Sequence, residues 1–231
     1  MSEAAAEPFS IEVAGSGPVS AVLIAPDDAL AAYVLAHGAG AGMHHAFMAS
    51  IAAALARRRI ATLRYQFPAM ERGARRPDLP RVAHATVRAA VQAAGARLPR
   101  LPLFAGGKSF GGRMTSQAQA EAPLAAVRGL VFLGFPLHPA GRPATDRADH
   151  LEQVHRPMLF VQGSRDELAD IGLIGAVTER LGARATLARF DHADHAFHVR
   201  ASSGSNDAEV LERIADTIAA WIAPLARAAN D

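Results

Sequence analysis

Phe104-Ala105-Gly106-Gly107-Lys108-Ser109-Phe110-Gly111-Gly112-Arg113 decides how the rest of the chain is read. An apolar run from Leu101 to Ala105 leads into it, and a stretch able to form a helix follows. Strand, tight Gly-rich turn, helix is the setting in which Gly107-x-Ser109-x-Gly111 reads as a nucleophile elbow. The Ser must take a strained backbone angle so that its hydroxyl projects from the top of a sheet. The residues two before and two after it lie too close to the turn to carry a side chain. The plainer reading is a Gly-rich turn whose Ser caps a helix.

Gly107-Lys108-Ser109 also looks like the end of a phosphate-binding loop. That motif needs a Gly five residues before its second Gly, where backbone N–H groups cradle phosphate. Here the position is Pro102, which has no N–H. The apolar run Gly129 to Leu133 is followed by Gly134-Phe135-Pro136 and not by an acidic residue. Nucleotide binding is therefore set aside.

Working outward, strand and helix patterns alternate. Ile11 and Val13, the turn Gly15-Ser16-Gly17-Pro18, and Val19 to Ala25 form an opening hairpin, after a tail over residues 1–8. Ala31 to Ala36 is continuously apolar, as for a strand buried on both faces. Ile60 to Leu63, Leu101 to Ala105, Val127 to Leu133, Pro157 to Gln162 and Ala185 to Phe190 are further strands. Helical spacing recurs over 45–58, 83–94, 167–181 and 208–226, and after the elbow to about Glu121. Residues 66–79 and 134–155 have no period and read as loops. Alternation of this kind predicts an α/β fold: one doubly wound, mostly parallel sheet flanked by helices, with no substantial cap, in a single domain.

The totals agree. A chain of 231 residues, 50% hydrophobic and 20% charged, can bury a full core without staples. The 23 Arg against one Lys, Lys108, reads as compositional bias. Net charge is +2 and the Arg are scattered, apart from Arg72, Arg75 and Arg76, so no nucleic-acid partner is expected. With no Cys, disulfides, thiolate catalysis and Cys-based zinc sites are excluded, which fits a reducing cytoplasm. The acidic start Met1 to Glu7 is not a signal peptide, and no apolar run approaches a membrane span.

In such sheets ligands bind beyond the carboxyl ends of the strands. Three strand ends carry suitable chemistry: Ser109; Gly163-Ser164-Arg165-Asp166; and Asp191-His192-Ala193-Asp194-His195-Ala196-Phe197. A Ser hydroxyl needs an imidazole to take its proton, and the imidazole needs a carboxylate to fix its tautomer. Asp166 could instead cap the next helix, and Asp146, Asp149 and Asp170 are rival acids that follow no strand directly. His192 and His198 are rival bases. The spacing of His192, His195 and His198 also hints at metal, but a helical zinc pair needs i, i+4 with an intervening Glu, so no metal is expected.

Together with His37-Gly38-Ala39-Gly40 and Asp194-His195-Ala196-Phe197, these segments make the chain resemble an α/β-hydrolase, of the small cap-less kind similar to dienelactone hydrolase. It most resembles a hydrolase subfamily that also includes a subunit of an animal histone-acetyltransferase complex. The resemblance covers nearly the whole chain from about residue 18. It implies Ser109 as nucleophile, Asp166 as the acid and His195 as the base. An oxyanion would be met by the N–H of Phe110 and by that of Ala39, or of Gly40. His37 would be structural, with its ring bonded to backbone. Lys108 would either point away over the surface or favour an anionic group near the site.

Two readings of function stand at this point. One is a cofactor-independent serine hydrolase cleaving a small or extended ester, amide or thioester. The other is a hydrolase-fold scaffold whose triad is idle.

Overall fold

The computed structural model describes residues 5–74, 76–124 and 126–228. Arg75 of the small basic cluster and residues 1–4 of the expected tail lie outside them. β1 (Ala6–Val13) and β2 (Gly17–Ile24) form the opening hairpin, paired from Ala6↔Ile24 to Val13↔Gly17. β1 therefore begins inside the stretch read as a tail, because residues 6–8 find partners on β2.

β3 (Ala31–Ala36) and β4 (Ile60–Tyr65) follow, then β5 (Leu103–Lys108), β6 (Val127–Leu133), β7 (Met158–Gly163) and β8 (Ala185–Phe190). All eight lie in one sheet of order β1-β2-β4-β3-β5-β6-β7-β8. β2 runs antiparallel to β1 and β4, and every other pairing is parallel. The carboxyl ends of β3 to β8 thus point to one edge of the sheet, where the site must lie.

Helices cover both faces. α1 (Ala46–Ala56) and α6 (Asp207–Arg227) pack on one face. There Met48, Ile51, Leu55, Ile214 and Ile218 meet Tyr33, Leu35, Phe104, Val131, Leu159 and Val161. α3 (Pro80–Arg97), α4 (Phe110–Glu121) and α5 (Ile171–Leu181) pack on the other. There Val87, Val91, Met114, Ile174 and Val177 meet Val34, Ala105, Phe132 and Phe160. Alternate residues of β3, β6 and β7 serve the two cores, which is why their sequences read as unbroken apolar runs.

Local chemistry sets the helix starts. Asp170 accepts from Gly172 N and Leu173 N at 3.0 Å each, so α5 starts at Ile171 and not at Glu167 as its periodicity suggested. Asn206 caps α6 through Glu209 N at 3.0 Å. Pro80 opens α3. The two loop stretches carry short elements: α2 (Pro68–Glu71) in the first and a 3-10 turn (Asp146–Gln153) in the second. No helix among the described residues is long and apolar enough to cross a membrane.

Candidate active site

β5 continues through the glycines to Lys108, past the predicted end at Ala105. It pairs Gly107 with Ala36 of β3 and with Phe132 of β6. A Cβ on Gly111, the first-turn residue of α4, would stand 2.5 Å from His37 O. These contacts fold the chain tightly around Ser109, which takes φ 49° and ψ −116°. Such a backbone state costs a non-Gly residue about 1–3 kcal/mol and persists only where its surroundings impose it. Ser109 makes no side-chain cap on α4, so the plainer reading of a capping Ser does not hold.

Its hydroxyl meets His195 instead. His195 Nε2 lies 2.9 Å from Ser109 Oγ, and His195 Nδ1 lies 2.7 Å from Asp166 Oδ2. A carboxylate can only accept, so Nδ1 carries the proton and Nε2 is the acceptor facing the hydroxyl. The Asp166 side chain is fully buried. It also accepts from Gln162 Nε2 at 2.5 Å and from Leu168 N at 2.8 Å. Asp166 therefore turns the loop after β7 and leaves the capping of α5 to Asp170.

The turn bearing His195 is held by its neighbours. Asp194 Oδ1 accepts from Ala196 N at 2.8 Å and from His198 N at 2.9 Å. Arg165 N donates to Ala193 O at 2.9 Å, tying this turn to the loop of Asp166. The rival histidines stand apart. His192 is exposed, and His198 pairs with Asp207 at 2.9 Å. A second Ser–His contact, Ser116 Oγ to His150 Nε2 at 2.8 Å, joins α4 to the 3-10 turn. There Ser116 is buried and donates to Arg113 O, and no carboxylate bonds to His150 among the described residues.

The loop after β3 faces Ser109 from the other side. Phe67 N donates to His37 Nε2 at 3.1 Å, so His37 Nδ1 donates to Gly38 O at 2.7 Å. Burial pushes the His37 ring below the usual imidazole range and keeps it neutral in that role. His37 thereby joins the Gly38–Gly42 loop to the loop of α2. Among the described residues, neither Ala39 N nor Phe110 N has an acceptor. Phe110 N opens α4, where the helix leaves its first N–H groups free. Both residues line a small pocket with Gly40, Phe67, Met70 and Arg76.

Gln162 is the site residue that the pattern did not single out. It also receives Phe135 N at 3.0 Å, so it links Asp166 to the loop after β6. A buried polar residue in the apolar run Met158–Gly163 was the available signal. Lys108 does not point away over the surface. Its ammonium turns inward and donates to His195 O.

A family model described as an alpha/beta hydrolase domain matches residues 29–223. A serine hydrolase without lid from Xanthomonas campestris is 22% identical with a TM-score of 0.73, over 100% of this chain and 98% of that one. A dienelactone hydrolase from Anabaena variabilis is 20% identical with a TM-score of 0.75, over 96% and 99%. The esterase domain of a Rhodothermus marinus protein is 19% identical with a TM-score of 0.71, over 94% and 97%. At these identities the structural likeness is one of fold.

Proposed function

The chain belongs to the alpha/beta hydrolase domain family, and we propose that it is a serine hydrolase cleaving a small or extended ester through an acyl-enzyme. The observation that carries this reading is His195, set between Ser109 Oγ and the buried Asp166 carboxylate. Buried Asp, oriented imidazole and strained Ser together have no structural use that a simpler residue set would not serve.

In the proposed reaction Ser109 Oγ attacks the acyl carbon while His195 Nε2 takes its proton. Asp166 holds the imidazole by Nδ1–H and stabilises its charged form. The carbonyl oxygen becomes an oxyanion and accepts from the N–H groups of Ala39 and Phe110; each such donor is worth roughly 10²–10³ in rate. Collapse breaks the bond to the leaving oxygen, which takes the proton from His195. Water then attacks the acyl-enzyme, giving its proton to His195, and the acid leaves as Ser109 regains its hydrogen. These steps need no metal or organic cofactor.

The free space beside Ala39 and Phe110 is about 10 Å³, roughly enough for one water. The test is a panel of p-nitrophenyl esters of rising acyl length with a fluorophosphonate probe, wild type against Ser109→Ala. Ester turnover and labelling that both need Ser109 support the reading. A protein that neither turns over nor labels would be the scaffold with an idle triad.

A further inference from the structure

We infer that Lys108 is a positioning residue that ties the turn of His195 to the nucleophile strand and so holds the imidazole against Ser109. This deepens the reading above and rests on it. Lys108 is the last residue of β5, directly before Ser109. Its stem passes over Gly38, where an added Cβ would stand 3.6 Å from Lys108 Cγ. Its ammonium arrives over Gly134, the residue after β6. A Cβ there would lie 2.9 Å from Lys108 Nζ, 3.4 Å from Asp166 Oδ2 and 3.4 Å from His195 Cε1. One cation, the acid and the base therefore crowd the same glycine, which has φ +64° and leaves room for all three.

Nζ donates to the main-chain carbonyl of His195. No other donor reaches that oxygen among the described residues. Asp194 holds the N–H groups on the far side of the turn, at Ala196 and His198. The Phe197 ring, 5.1 Å from Nζ, backs the ammonium. Lys108 thus closes a covalent and hydrogen-bonded loop: Ser109 to Lys108 along the chain, Lys108 to the His195 main chain, and the His195 ring back to Ser109 Oγ. A shift of either strand end carries nucleophile and base together.

The ammonium is kept there against its own solvation. Burial pushes the Lys108 amine down to about 8, although Asp166 and Asp194 both favour the charged form. Among the described residues it has no direct ion pair, since neither carboxylate is bonded to it. Facing Lys108 are the carboxylates of Asp166 and Asp194, which favour its charged form, and the main chain of His195, which it holds.

The test compares wild type with Lys108→Met, which keeps the stem but removes both donor and charge. Lys108→Gln is the second variant, read in the same way should the Met form not fold. Two quantities are read: the rate of fluorophosphonate labelling at Ser109, and the ring NMR signals of His195 in histidine-labelled protein at fixed pH. Labelling is expected to slow by ~10–100-fold, as for a misplaced base. The His195 ring signals are expected to shift or broaden, as the imidazole loses its fixed place between Asp166 and Ser109. An unchanged labelling rate with unchanged His195 ring signals overturns the inference. Wild type that does not label at all overturns the hydrolase reading instead, and the His195 ring signals then still decide whether Lys108 positions His195.

Discussion

A Cβ placed on Gly107 would stand 2.2 Å from the carbonyl oxygen of Ala36. The two residues pair across β5 and β3, so neither backbone can give way without opening the centre of the sheet. Gly107→Ala is expected to destabilise the fold by more than ~3 kcal/mol or to prevent its recovery. Urea unfolding of purified protein measures this. A Gly107→Ala protein with an unchanged midpoint would contradict the geometry.

Ser109 holds φ 49° and ψ −116°, and its neighbours impose that state. Replacing Ser by Ala leaves the strain, while Gly relieves it. Ser109→Gly is therefore expected to melt above Ser109→Ala, by about 1 kcal/mol or more in stability. Both variants should lose fluorophosphonate labelling. Equal melting temperatures would argue that the elbow is not strained.

The Asp166 carboxylate accepts from three donors, one of them His195 Nδ1. Asp166→Asn fits the same space but presents an amide that can donate, which favours the wrong imidazole tautomer. On the proposed mechanism kcat falls by roughly 10⁴ with the fold intact. Gln162→Met removes one of those donors and leaves Phe135 N without its acceptor. A stability loss of ~1–3 kcal/mol is expected, together with a smaller loss of kcat. Steady-state kinetics and thermal melts of the two variants separate orientation from packing.

His150 gives the fold a pH dependence away from the site. Burial pushes its imidazole down to about 4, with Arg113 and His84 adding to the effect. In the unfolded chain the same group titrates near 6.5. Between those values the unfolded state binds more protons, so stability falls as pH drops from about 6.5 towards 4. Thermal melts at pH 7 and pH 5 should show the loss, and His150→Gln should shrink it. A His150→Gln protein with the wild-type difference would assign the acid sensitivity elsewhere.

Much of this molecule is legible as pattern. The runs Ala31–Ala36 and Val127–Leu133 are apolar throughout because each feeds both cores, and they read directly as buried strands. Boundaries were less legible where side chains override periodicity. Asp170 moves the start of α5 by four residues from Glu167, and Gly106 and Gly107 read as a turn until two neighbouring strands accept them as β5. Gln162 was hidden because a single polar letter in a strand does not say what it meets.

The sequence by itself determined the α/β order, the strained Ser between two close-approach glycines, and the three strand ends that carry hydroxyl, carboxylate and imidazole. These follow from periodicity and from steric rules that act over a few residues. Only the tertiary structure decided that His195, and not His192 or His198, faces Ser109 across 86 positions of chain. It alone turned Asp166 towards His195 and Lys108 inward to the His195 carbonyl. Those choices depend on how far each loop reaches past its strand and on which backbones pass close enough to meet. That distance is set by the packed sheet and is written in no local stretch of the chain.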